Sequence, residues 1–381
     1  MLGNFTYHNP TRLHFGPEAL DQLAGELAHY GPRVQLIYGG GSIKKSGLYD
    51  QVLAILQEAG KTVVEDGGVM PNPTVEKLYE GCRIAKENDV DLLLAVGGGS
   101  CCDYAKAVSV SAWCSEDPWE KYYLRMEEPS NRTLPVGCVL TMVGTGSEMN
   151  GGSVITNHQE KRKIGHVFGP EVYPKFSILN PVYTLTLPKV QMVAGIYDIM
   201  NHITEQYFSD ADDCTSDYLM EGLMRSLIHS SRIAVADPQN YEARSNLMWI
   251  ATWALNTLVD QGKTTDDRPV GRGLHRCHPR HDPLGGFPAI LPVYSPLWGP
   301  PVPKVCGERV GDRPDKQVGR GSGLGGPGCH GSVDEGLVLS LRELGVTEEM
   351  LEGIVQGTFV MDGGYRVLEP GEILEILKAS L

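Results

Sequence analysis

The stretch Ala95-Val96-Gly97-Gly98-Gly99-Ser100-Cys101-Cys102-Asp103-Tyr104-Ala105-Lys106 sets a glycine-rich turn between an apolar run and a helical pattern. Residues 90–96 are branched and apolar with almost no polar interruption, as in a strand covered on both faces of a parallel sheet. After the turn, Ala105, Ala107 and Val108 begin the period of a helix. Three glycines let the backbone come close to a diphosphate, and the helix that follows aims unpaired N–H groups and the positive end of its dipole at the anion. Taken alone, the motif serves an anion site or an ordinary tight turn equally well.

Upstream, the same grammar repeats. Residues 17–30 put Leu20, Leu23 and Leu27 at helical spacing behind a proline suited to a first turn. Residues 33–38 read as a strand that runs into a second glycine-rich turn, Gly39-Gly40-Gly41-Ser42-Ile43-Lys44-Lys45. A helix over 48–59, a strand over 62–65, Pro71-Asn72-Pro73-Thr74 and a helix over 75–88 complete a βαβαβ alternation, the signature of a doubly wound α/β unit. Two such turns at strand ends favour nucleotide binding over chance punctuation.

Downstream, residues 134–140 form a strand delivering Thr141, Gly144, Thr145, Gly146 and Ser147 at its end, where ligands of such sheets sit; the plainer reading is a polar loop. Residues 154–156 and 176–179 read as further strands, with Lys161, Arg162 and Lys163 in the loop between them. After Pro188 strand signals stop, and helices are expected over 193–207, 213–233 and 238–259. In the first of these Asp198 and His202 stand four apart on one face. Such a pair can share a divalent cation or simply be an i,i+4 polar pair.

A net charge of -14 argues against nucleic acid or an anionic membrane surface as the partner, because both demand a basic footprint. There is no secretory signal pattern and no run of the ~18 apolar residues that a membrane span needs. A cytoplasmic protein acting on small molecules is expected, its nine cysteines reduced.

Taken together, Tyr38-Gly-Gly-Gly-Ser-Ile-Lys-Lys-Ser-Gly47, Pro71-Asn-Pro73, Gly97 to Ser100 with Asp103 and Lys106, Thr145-Gly-Ser-Glu-Met-Asn150, residues 174–181 and the Asp198/His202 pair resemble the iron-containing (type III) alcohol dehydrogenases, in the butanol dehydrogenase and aldehyde reductase branch. The resemblance spans residues 1 to about 265 and resumes near 336. It implies an α/β Rossmann-like dinucleotide-binding domain over 1–185, an all-α domain over 186–381 in the dehydroquinate synthase-like architecture, a divalent metal (Fe or Zn) between them, and a homodimer. It implies reversible hydride transfer between NAD(P)H and an aldehyde or primary alcohol. By motif match, Gly97, Gly98, Gly99 and Ser100 hold the pyrophosphate. Thr141, Thr145 and Ser147 serve the diphosphate and nicotinamide ribose, Asp103 and Lys163 act at the nicotinamide end, and Gly39, Gly40, Gly41, Ser42 and Asn72 line the adenosine side. Asp198 and His202 become metal ligands. Residues 39–45 carry Ser42, Lys44 and Lys45 and no carboxylate, which favours NADP over NAD.

The resemblance fails between about 267 and 331. There about 25 of 64 residues are Gly or Pro, no helical period survives, and the two further histidine ligands that the family would place there are missing. Loss and recovery of pattern at matching places suggest a shifted reading frame, checkable in the coding DNA. A true divergent insert would instead offer His275, Cys277, His278 and His281 as substitute ligands. A polyol dehydrogenase and a cofactor-binding homologue without turnover are the competing functions.

Overall fold

The computed structural model describes residues 4–207, 214–259, 341–342, 346–357 and 369–381. The chain divides into two compact units, Met1–Arg272 and Gly273–Leu381. In the first, a six-stranded all-parallel sheet is built from β1 (Arg12–Phe15), β2 (Arg33–Tyr38), β3 (Thr62–Asp66), β4 (Leu92–Gly97), β5 (Val136–Leu140) and β8 (Phe176–Leu179) in the spatial order β1-β8-β5-β4-β2-β3. The central strands are apolar because both faces are covered: every residue of β4 and of β5 is buried. Helices α1 (Leu23–Leu27) and α3 (Leu48–Glu58) cover one face, where Leu23, Leu27, Val52 and Leu56 meet Val34, Leu36, Leu92, Leu94 and Val96.

Helices α4 (Val75–Glu87) and α5 (Gly99–Ser111) lie beside each other, α4 capped by the Thr74 hydroxyl. Beneath them is a buried polar knot. Lys77 Nζ lies 2.7 Å from Asp66 Oδ1, while Gln35 Nε2 and the Tyr104 hydroxyl each donate to Asp66 Oδ2 at 2.8 Å. Such a carboxylate is tolerable in the interior only because a cation and two donors meet it.

Three elements depart from the sequence reading. β1 is an additional edge strand, parallel to β8. Ser42–Lys45 continues the second glycine turn as a short helix, α2. Lys163 is not in a loop: Arg162–Val167 is a strand, β7, antiparallel to β6 (Gly152–Asn157), with Lys163 opposite Thr156. Alternation explains it, since Ile164 and His166 point inward behind the surface basic residues.

Helices α6 (Lys189–Tyr207), α7 (Thr215–Ala236) and α8 (Tyr241–Ala254) follow in the same unit. In the second unit, α9 (Leu351–Gly357) and α10 (Pro370–Ala379) share a small core of Leu341, Val346, Leu351, Ile354, Ile373 and Leu377. The Gly/Pro-rich segment 267–331 and its His275, Cys277, His278 and His281 lie outside the described residues. No described helix is long and apolar enough to cross a membrane. The six described cysteines, Cys82, Cys101, Cys102, Cys114, Cys138 and Cys214, are buried free thiols.

Candidate active site

The C-terminal ends of β2, β4 and β5 are neighbours in the sheet, so the turns leaving them gather on one rim. The β4 turn and the loop after β5 are packed hard together. Thr141 N–H donates to the Gly97 carbonyl at 2.9 Å. A Cβ on Gly99 would stand 2.3 Å from Thr145 Oγ1, so this position is glycine because the threonine already occupies the space. Helix α5 starts at Gly99 without a side-chain cap. Its first N–H groups therefore remain for an anion. The β2 turn differs: a Cβ on Gly40 or Gly41 would meet nothing within 4 Å, leaving room for a ligand to approach the backbone. Among the residues expected to line the adenosine side, Ser42 is exposed and Asn72 is half-buried with a positive φ of 56°. A dinucleotide fits this set by the chemistry of its donors and by the open space over Gly40.

Asp103 and Ser147 come together directly, the Ser147 hydroxyl donating to Asp103 Oδ1 while Val154 N–H donates to Oδ2 at 3.0 Å. Burial pushes the Asp103 carboxyl up, and Lys106, these two hydrogen bonds and the charge of Lys163 oppose that rise. Lys163, on β7, thus acts on the same carboxylate as α5 does. Lys106 is fully buried and serves as a clasp. Its Nζ donates to Ser147 O at 2.8 Å and to Asn150 O and Oδ1 at 3.1 Å each, and lies 3.9 Å from Asp103 Oδ1. Burial lowers its pKa against the pull of Asp103.

The same loop reaches the helices. Asn150 Nδ2 donates to Gly146 O at 2.9 Å and to Leu255 O at 3.0 Å, and Thr252 of α8 donates to Glu148 Oε1 at 2.6 Å. Gly195 of α6 lies so close to the loop that a Cβ there would fall 2.2 Å from Val143 O, and a Cβ on Gly144 would fall 3.0 Å from Asp198 Oδ2. Asp198 is thereby set against the turn that follows β5. His202 Nε2 lies 3.8 Å from Asp198 Oδ1, with the imidazole buried. Both residues expected as metal donors therefore stand on α6, one turn apart. Among the described residues no group of three or more His, Cys, Asp or Glu could hold a metal ion, and two ligands are too few for a tight divalent site.

The sequence reading missed Glu65. It comes from β3, yet Tyr38 and Tyr49 both donate to its carboxylate and Lys44 lies 3.9 Å from it, so a carboxylate does stand beside residues 39–45. The signal was present: in a parallel sheet the last side chains of adjacent strands meet at one rim.

Three comparisons bear on this arrangement. The family model described as iron-containing alcohol dehydrogenase matches residues 10–181. The chain is 38% identical, over the full length of both, to the probable NADH-dependent butanol dehydrogenase 1 of Bacillus subtilis (strain 168). It is 41% identical over 268 residues to the NADPH-dependent aldehyde reductase YqhD of Escherichia coli (strain K12), covering 70% of this chain and 68% of that protein. The crystal structure of NADH-dependent butanol dehydrogenase A from Thermotoga maritima superposes with a TM-score of 0.85 at 34% identity, covering 100% of this chain and 99% of that one.

Proposed function

Because the chain belongs to the iron-containing alcohol dehydrogenase family, we propose that it interconverts primary alcohols and aldehydes by hydride transfer with NADP in preference to NAD. The observation that carries the reading is the seating of Asp198 and Gly195 against the Val143–Gly144 turn, which brings the helix bearing Asp198 and His202 to the rim bearing the glycine turns. A bound nicotinamide would supply or accept the hydride. Gly97, Gly98, Gly99 and Ser100 offer backbone donors to its pyrophosphate, with Thr141, Thr145 and Ser147 alongside, and Gly39 to Ser42 with Asn72 take the adenosine side. Asp103 fixes the Ser147 hydroxyl and the β6 backbone, and Asp103 and Lys163 are proposed to bound the nicotinamide end. A compact dinucleotide-binding part over 1–185 with helical residues from 186 onward, residence in the cytoplasm and a homodimeric state belong to the same proposal.

A second reading has its own support. The described residues provide only Asp198 and His202 as ligands, and a homologue that binds cofactor without turnover follows if the segment holding His275, His278 and His281 supplies none. The two separate in one experiment. Protein loaded with Fe(II) or Zn(II) is mixed with NADPH and butanal, or with NADP and butanol or glycerol, and reduced nicotinamide is followed by absorbance. Turnover with butanal and butanol supports the dehydrogenase, and preference for glycerol would move it to the polyol class. NADPH binding without consumption under every metal would overturn the first reading in favour of the second.

A further inference from the structure

At the rim of β2 and β3, three side chains close on one carboxylate. Tyr38 is the last residue of β2, Glu65 the penultimate residue of β3, Lys44 belongs to α2 and Tyr49 to the first turn of α3. The parallel register sets Glu65 opposite Leu36 and Asp66 opposite Ile37. Tyr38 donates its phenol to Glu65 Oε2 at 2.5 Å and Tyr49 donates to Oε1. Lys44 Nζ donates to the Tyr38 hydroxyl at 3.0 Å and lies 3.9 Å from Glu65 Oε2. It also sits 4.7 and 4.4 Å from the ring centres of Tyr38 and Tyr49. Carboxylate and π faces all attract the same ammonium. Even so, the side chains of Lys44 and Glu65 are 48% and 47% exposed, so a ligand can reach both.

A dinucleotide whose diphosphate lies at the start of α5, over β4, has β2 as the next strand and β3 beyond it. Its adenosine ribose then falls on Gly39 to Lys45. A 2′-phosphate there would draw Lys44 into a charge-assisted hydrogen bond, whereas a free 2′-hydroxyl would make no such demand. To answer the phosphate, Lys44 must leave Glu65.

We propose that Glu65 tunes the choice between NADP and NAD by competing with the cofactor's 2′-phosphate for Lys44. The proposal rests on the reading of residues 39–45 as the ribose end of a dinucleotide site. The tyrosines hold the carboxylate in place, and the half-exposed ion pair is weak enough to exchange. Glu65 is thus a counterweight to the two lysines that favour the phosphate, set on a different strand from them.

The test reads binding without turnover. Quenching or enhancement of reduced-nicotinamide fluorescence gives dissociation constants for NADPH and NADH with the full-length parent, E65Q, K44M and the E65Q/K44M double variant. E65Q is nearly isosteric and can keep both tyrosine contacts. It is expected to tighten NADPH roughly two- to fivefold, the range that an exposed ion pair supports, while NADH moves by less than about twofold. K44M is expected to weaken NADPH and to erase the E65Q gain, as coupling through one shared partner requires. Equal tightening of both nucleotides, a gain that survives K44M, or weakening of both by E65Q would overturn the proposal, the last by making Glu65 a structural strut. If the parent binds neither nucleotide, the dinucleotide reading fails first and the proposal fails with it.

Discussion

Two glycines on the same rim should both weaken cofactor binding when given one added methyl group, but only one of them should lose stability. At Gly99 the new Cβ would lie 2.3 Å from Thr145 Oγ1, 2.7 Å from Cγ2 and 3.0 Å from Cβ. Rotating Thr145 cannot clear its own Cβ, and a β-branched side chain leaves few wells to choose from. Either α5 or the loop after β5 must then move. Overpacking of this kind costs about 1–3 kcal/mol, a fall in Tm of roughly 3–10 °C for a unit of this size. The shifted N–H donors forfeit a charge-assisted hydrogen bond of about 1.5–3 kcal/mol, which raises the Kd for NADPH about 10- to 100-fold. At Gly40 no protein atom lies within 4 Å and the backbone needs no positive φ, so Gly40→Ala should leave Tm within about 2 °C. It would, however, fill the space through which the cofactor approaches and weaken NADPH about tenfold or more. Differential scanning fluorimetry and nicotinamide fluorescence read the two quantities. Adding Thr145→Ala to Gly99→Ala removes the two nearest atoms and should return most of the lost Tm. The reasoning fails if Gly99→Ala keeps the parent's Tm and affinity, or if Gly40→Ala binds NADPH as the parent does.

Further expectations follow from other sites. Lys77→Met strands the Asp66 carboxylate with only neutral donors from Gln35 and Tyr104, and should cost about 3 kcal/mol in thermal unfolding; Asp66→Asn in the same chain should recover most of it. Burial pushes the Glu148 carboxyl up. Its folded form therefore favours the proton, and stability falls as pH rises through the ordinary carboxylate range toward the raised value. Glu148→Gln, which can still accept from Thr252, should raise Tm at pH ~8 and leave it unchanged at pH ~4, and a gain of equal size at both would refute the assignment. If residues 268–331 add ligands to Asp198 and His202, plasma mass spectrometry on metal-replete protein finds close to one divalent ion per chain, falling to near zero in His202→Ala; near zero in the parent would leave only the reading without turnover.

What could be read from the sequence was what local pattern encodes. The turn from β4 into α5, the βαβ alternation and the three helices after Pro188 all announce themselves through periodicity and Gly/Pro punctuation. β1 did not, because Arg-Leu-His-Phe is four residues at a sheet edge with mixed burial and no alternation to follow. β7 opens on two basic residues at a solvent-facing turn, which disguised a half-buried strand. The Asp198/His202 pair was visible from its spacing of four. The setting of Asp198 against Gly144, and of Glu65 among Tyr38, Lys44 and Tyr49, depends on residues far apart in the chain that no local window contains.

β1 pairs only with β8, so residues 12–15 find their sheet partner at 176–179, and β8 is also what joins β1 to β5. A ribosome must therefore make the 160 residues 16–175 between the two halves of that ladder. From the completion of β5 at Leu140 until β8 follows, β5 is the exposed margin of a four-stranded sheet. The first strand out of the exit tunnel is the last to be seated. Sequences that separate contacting partners this widely close slowly, because loop entropy is lost before the pairing compensates for it. Over residues 141–175 the nascent chain carries the β5 edge bare, and that edge is where a holdase or a misdirected strand from another chain would find its opening.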